Sequence, residues 1–215
     1  MTAPPIPTPV YRLIHIDNLG TCLRRSALCA PNHTPDDGAV YKAIHNVDIQ
    51  RERRTRPLPC GPGGAIHDYV PFYFGPRSPM LLQLHTGMVA GYKEGQDPLV
   101  YLITSAQIVE SSGTSFVFSD GHGIAAYTRW FDDLADLDKV DWVAVKATYW
   151  SDTADDMDRQ RRKQAEFLVH VRCKWDLIQG VGVIDERAKV RVEDILAAFP
   201  PAMHRPVGIR RQWFY

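Results

Sequence analysis

Residues 164–172 read QAEFLVHVR. From Glu166 onward the stretch alternates as a β-strand does. Its pleat sets Glu166, Leu168 and His170 on one face and Phe167, Val169 and Val171 on the other. A carboxylate opening such a strand, directly after a helix and a turn, is held on rigid backbone where it can face a cleft. The same glutamate would also suit an edge position facing water. The preceding segment, 152–164, runs DTADDMD and then RQRRKQ. Thr153 with Asp156 has capping-box spacing and predicts a helix through Gln164. Acids first and bases last complement a helix dipole, and Asp155–Arg159 and Asp158–Arg162 are i,i+4 pairs.

Further strands are expected over residues 11–16, 99–104, 115–119, 181–184 and 207–214. Asp17 can open a helix that carries Leu19, Cys22 and Leu23 on one face. Asn46 caps a helix to about residue 56, where Pro57 and Pro59 stop it. Ser78 and Pro79 form a cap and first-turn pair for a helix over 80–87. Residues 131–146 and 192–199 are also expected to be helical, with a short helix between the strands at 99–104 and 115–119. Residues 30–40 read as a loop and CGPGG at 60–64 as a turn. Strands and helices mix without regular βαβ alternation. That pattern points to an α+β fold with a partly antiparallel sheet, in a single domain over 1–215.

The chain has 215 residues, with 25 Lys plus Arg against 25 Asp plus Glu. This zero formal charge excludes a polyanion binder steered by bulk positive potential, although local basic patches remain. An apolar content of 45% excludes a disordered chain. Cys22, Cys29, Cys60 and Cys173 form no CxxC pair, which argues against a zinc knuckle. The lead MTAPPIPTPV lacks the pattern of a secretory signal, and no apolar run is long enough to span a membrane. The expectation is a soluble cytoplasmic protein with reduced thiols.

Two basic clusters stand out, RERRTR at 51–56 and RQRRK at 159–163. Guanidinium groups match phosphate oxygens in pairs, so a pyrophosphate or a nucleic-acid backbone suits them. Equally, the first could be a solvated helix end. HDYVPFYFGPRSPML, 67–81, packs Tyr69, Phe72, Tyr73 and Phe74 between stiffening prolines, with Arg77 close by. Rigid aromatics stack on planar heterocycles, and they also build strands. His122 lies between two glycines in SDGHGI, where an imidazole can exchange a proton near neutral pH. His15 closes the first predicted strand. The chain contains no P-loop, Rossmann, zincin, α/β-hydrolase or zinc-deaminase motif.

In order, YRLIHIDNL (11–19), IQRERR (49–54), PGGAIHDYVPFYFGPRSPML (62–81), FVFSDGHG (116–123) and RRKQAEFLV (161–169) resemble the DarT family of DNA ADP-ribosyltransferase toxins. The closing IRRQWFY (209–215) fits as well, and the QxE before a strand is similar to the glutamate motif of the wider ADP-ribosyltransferase superfamily. The resemblance implies a split antiparallel β-sheet core with peripheral helices. It implies that NAD is consumed as a co-substrate, without a metal, to place ADP-ribose on a base of single-stranded DNA, commonly thymine. It also implies a macrodomain antitoxin, DarG, as partner of a monomeric enzyme.

Carried over residue by residue, Glu166 matches the catalytic glutamate, Arg54 the essential arginine and His122 the histidine of the FVFxDxHG motif. His15, Asn18, Arg54, Tyr69, Phe72 and Tyr73 would hold NAD. Arg77, Met80, His122 and Arg129 would meet the DNA. Alternatives remain open: a related enzyme acting on RNA or protein, or a non-catalytic nucleic-acid-binding module.

Overall fold

The computed structural model describes residues 2–215. In chain order the strands are β1 (Pro9–His15), β2 (Ala27–Cys29), β3 (Tyr69–Tyr73), β4 (Leu99–Ser105), β5 (Phe116–Ser119), β6 (Trp130–Phe131), β7 (Glu166–His170), β8 (Arg172–Lys174), β9 (Gly180–Val183) and β10 (Val207–Ile209). Eight form one sheet in the order β10-β9-β4-β1-β3-β7-β5-β6, and β2 and β8 form a separate ribbon. Only the β10–β9 pairing is parallel among the described strands.

The sheet is split in the middle. β1 pairs with β4 along its whole length, from Pro9 opposite Ser105 to His15 opposite Leu99. On its other side it meets β3 at Tyr11 opposite Tyr73 alone. Beyond that residue the halves part, and a cleft opens. The buried central strand β4 reads LVYLITS, an almost unbroken apolar run, as expected of a strand covered on both faces.

The helices are α1 (Leu19–Arg24), α2 (Val47–Thr55), α3 (Pro79–His85), α4 (Ala106–Ser111), α5 (Trp142–Lys146), α6 (Arg159–Lys163) and α7 (Glu186–Ala197). Asn46 accepts from the N–H groups of Asp48 and Ile49 to start α2, and Ser78 accepts from Leu81 N to start α3. Both starts agree with the sequence reading. The expected helix over 131–146 is instead broken into a 3-10 turn, Leu134–Lys139, and α5, because Asp141 caps a fresh start. Thr153 and Asp156 exchange backbone hydrogen bonds across a tight turn, so the expected capping box is absent and α6 begins only at Arg159. Asp185 accepts from Ala188 N and starts α7 six residues before the expected 192. The last strand ends at Ile209 rather than 214.

A large core, including Leu13, Phe72, Phe118, Phe167 and Leu102, holds the sheet and its helices together. Leu58, Ile66, Tyr69, Val117 and Leu168 form a smaller cluster, which includes the opposite face of the β3–β7–β5 half. Among the described residues, no helix is long and apolar enough to cross a membrane.

Candidate active site

Glu166 is the first residue of β7 and stands opposite Tyr73 of β3, at the mouth of the cleft. Its side chain is 1% exposed. Arg53 reaches it from α2: Nη1 donates to Oε1 at 2.9 Å and Nη2 to Oε2 at 2.7 Å. The Gly123 N–H donates to Oε1 at 3.0 Å. A buried carboxylate without such partners would take up a proton. Burial pushes the pKa of Glu166 up, but the charge and hydrogen bonds of Arg53 outweigh it and hold the carboxyl below its usual range. Desolvation likewise opposes the charge on Arg53, and Glu166 outweighs that, so both groups stay ionised.

The loop after β5 is built around this carboxylate. Ser119 Oγ accepts from Glu166 N at 3.1 Å and donates to Gly121 O at 2.7 Å. Arg161 Nη1 donates to Asp120 Oδ1 at 2.8 Å and to Thr128 Oγ1 at 3.3 Å, and Arg161 O accepts from His122 N at 3.0 Å. A Cβ on Gly121 would collide with the Arg161 guanidinium, and one on Gly123 would stand 3.0 Å from Glu166 Oε1. Both glycines therefore permit close approach, one of a guanidinium and one of the carboxylate.

The site opens into a cavity of about 510 Å³, lined among others by Arg12, Arg53, Tyr69, Tyr73, His122 and Glu166. That volume suits a small-molecule substrate. Burial lowers the pKa of His122 against the opposing pull of Glu166, so its imidazole is neutral at pH 7. Burial, with the Glu166 charge added, pushes the Tyr73 hydroxyl up to about 12. The Tyr69 hydroxyl donates to Gly63 O at 2.7 Å and holds the PGG turn. Met80, at the start of α3, also lines the cavity.

Other expected residues stand elsewhere. Arg54 lies on the exposed side of α2, since one residue turns a helix by about 100°. The glutamate partner is Arg53, one position earlier than expected. Phe72 is fully buried in the large core, because the strand pleat turns it away from Tyr73 and Glu166. His15 accepts from Asp17 N at 3.1 Å and faces Glu94 Oε2 at 3.3 Å. The Asn18 amide clasps the backbone of Lys42, donating to its carbonyl at 2.9 Å and accepting from its N–H at 2.7 Å. Neither His15 nor Asn18 lines the cavity. Instead, Asn18 fixes the 41–46 segment that forms one of its walls. Arg77 lies 4.5 Å over the Tyr215 ring, and Arg129 pairs with Asp120 at 2.8 Å.

The second basic cluster is largely engaged inside the protein. Arg161 pairs with Asp120 and Asp158, and Arg162 with Asp141, Asp156 and Asp158. Lys163 donates to Val145 O at 2.6 Å and Ala147 O at 3.0 Å, and burial lowers its pKa to about 8. Sequence reasoning missed Gly123, Ser119 and Arg161 as parts of the site. Only the second glycine of SDGHG hinted at them.

A split, mostly antiparallel sheet that holds a carboxylate this way at its cleft is the frame of an ADP-ribosyltransferase, and the chain is of that class. The model of the family described as "DarT: ssDNA thymidine ADP-ribosyltransferase" matches residues 11–215. A DNA ADP-ribosyl transferase of Thermus sp. (strain 2.9) is 43% identical over 211 residues, 98% of each chain. The structure of Thermus sp. 2.9 DarT in complex with ADP-ribosylated ssDNA matches with a TM-score of 0.93 and 41% identity, covering 100% of this chain and 99% of that one. Thermus sp. 2.9 DarT in complex with NAD+ matches with a TM-score of 0.87 and 40% identity, over 99% of this chain and 100% of that one. This chain belongs to the DarT family. It is an ADP-ribosyltransferase of single-stranded DNA, with NAD as the ADP-ribose donor.

Proposed function

We propose that this enzyme moves ADP-ribose from NAD to a thymine of single-stranded DNA, with Glu166 at the reacting centre, Arg53 as its partner and His122 beside it. The observation that carries this reading is the ionised Glu166, forked to Arg53 and touched by the Gly123 N–H, facing a cavity of substrate size.

The bond between nicotinamide and ribose breaks with its electron pair leaving on nicotinamide. Positive charge then develops on the ribose, as in glycoside cleavage. Glu166 stabilises that charge as a fixed carboxylate. The thymine imide nitrogen forms the new bond to the ribose carbon. Its proton passes to Glu166 or to the neutral His122, and a positioned base contributes roughly 10²–10⁴-fold. Arg53 keeps Glu166 ionised and oriented until substrates bind. Tyr69 and Tyr73 wall the cavity, and Met80 lies toward the acceptor. Arg77 and Arg129 meet DNA phosphates outside it. Asn18 acts on NAD through the wall segment that it braces, and His15 acts through Glu94, which pairs with Lys42 of that segment. A base must leave any stack to react, which favours single-stranded substrate.

The enzyme works as a monomer in the cytoplasm, and a DarG macrodomain reverses its mark. The macrodomain partner rests on the family resemblance, and the cytoplasmic location on the sequence, whose lead lacks a signal pattern and which has no membrane-length apolar run. The test offers NAD with single-stranded DNA containing thymine, the same DNA lacking thymine, RNA and protein, side by side. Transfer to the thymine-containing DNA alone supports the reading. Preferential transfer to RNA or protein refutes it. Release of the ADP-ribose by a macrodomain tests the reversal, and sedimentation at the mass of one chain tests the monomer.

A further inference from the structure

Arg12 is the residue of β1 immediately after Tyr11, where the two halves of the sheet part. It lines the same cavity as Glu166. Every other Lys or Arg in that lining has a carboxylate within ion-pair distance: Arg25 has Asp37, Lys42 has Glu94 and Asp17, and Arg53 has Glu166. Arg12 has none among the described residues. Its one hydrogen bond there runs from Nη1 to Pro71 O at 3.1 Å. Its Nε is buried without a partner.

Burial disfavours the charge on Arg12, and the nearby charge of Arg53 opposes it further. Arg12 in turn adds to the desolvation that keeps His45, on the cavity wall, from taking a proton. A guanidinium is never neutral near pH 7, so the cavity wall carries one positive charge that no carboxylate among the described residues pairs with. Keeping a charge out of water without a partner is unfavourable, and an incoming anion relieves it.

We propose that Arg12 is an anion-binding residue of this site and takes the pyrophosphate of the dinucleotide substrate. This rests on NAD being the donor. The chemistry favours pyrophosphate because a guanidinium with free N–H donors forms paired, charge-assisted bonds to phosphate oxygens. Arg53 is occupied by Glu166, which leaves Arg12 as the lining guanidinium with donors to offer. Its place on β1 lies one strand away from the Tyr73–Glu166 pair, so bound phosphates would sit beside the reacting ribose.

The test is calorimetric titration of the full chain and of Arg12→Gln and Arg12→Lys with ADP-ribose and with adenosine. Glutamine can still donate to Pro71 O, so the strand contact is kept while the charge is removed. Arg12→Gln is expected to weaken ADP-ribose binding roughly 10- to 100-fold. Adenosine binding should be unchanged, and Arg12→Lys should fall between. Equal losses for both ligands, or none, would show Arg12 to be only a strand clasp and overturn the proposal. Wild-type protein that binds neither ADP-ribose nor NAD would overturn the donor assignment as well.

Discussion

Arg53 and Glu166, 113 residues apart in the chain, meet fork to fork, with Nη1 donating to Oε1 at 2.9 Å and Nη2 to Oε2 at 2.7 Å. The pair joins α2 to the mouth of β7 and is buried on both sides. Two charges are held in a low-dielectric site by each other, and neither can be removed alone without leaving the other exposed to that environment.

Arg53→Ala should cost about 3–5 kcal/mol, the usual penalty for orphaning one member of a buried pair. It should also abolish transfer, because Glu166 would lose the partner that orients it and most opposes the effect of its burial. Arg54→Ala should change stability by less than about 0.5 kcal/mol, as exposed substitutions do. Denaturant melts and transfer assays on the two variants check both statements. The opposite ranking would return the role to Arg54.

The Arg53–Arg54 ambiguity marks where the sequence runs out. RERRTR shows that α2 carries guanidinium groups, but the choice among neighbours depends on the helix's rotation against β7, which is a tertiary quantity. Glu166 was legible because strand pleat and strand start are local. Tyr73 was named together with Phe72 from the aromatic run and the family resemblance, and the pleat that exposes Tyr73 to the cavity turns Phe72 into the core. Asn46 and Ser78 marked their helices correctly, since a cap is a contact within three residues. Thr153 and Asp156 had the right spacing but formed a turn, in which their backbones bond to each other and the Asp156 carboxylate pairs with Arg162. Asn18 braces a wall 24 residues downstream, a pairing that no local pattern encodes.

Gly121→Ala should disturb catalysis through Arg161. The added Cβ would meet the guanidinium that fixes Asp120 and Thr128. Displacing Arg161 shifts the loop that delivers Gly123 N and His122. The expected result is a fall in kcat of at least about tenfold with a smaller change in KM, since the loss lies at the reacting centre. Arg161→Ala should lower kcat in the same way, and the double variant, Gly121→Ala with Arg161→Ala, should lose no more than Arg161→Ala alone, since clash and anchor are one guanidinium. A clearly larger loss in the double variant would show that the clash is not the cause.

His122 should set an acid limb in the pH profile. Burial lowers its pKa from the ordinary 6.5, so the neutral imidazole is the native form. A group with a depressed folded pKa loses its favoured form as pH falls through that value, so kcat/KM should decline below pH 6.5 and not above it. The limb should vanish in His122→Ala, at a lower plateau rate. A limb that persists unchanged in the variant would assign it to another group. Burial raises the pKa of Glu166, but Arg53 outweighs it and holds that carboxyl below its ordinary range.

The most direct measurement concerns Glu166 itself. Purified protein and Glu166→Gln are each incubated with NAD and a thymine-containing single-stranded oligonucleotide, and the DNA is weighed by mass spectrometry. The wild-type chain should add the mass of one ADP-ribose and release nicotinamide, and the variant should add none while remaining folded by circular dichroism. Full transfer by a folded Glu166→Gln enzyme would contradict the account at its centre.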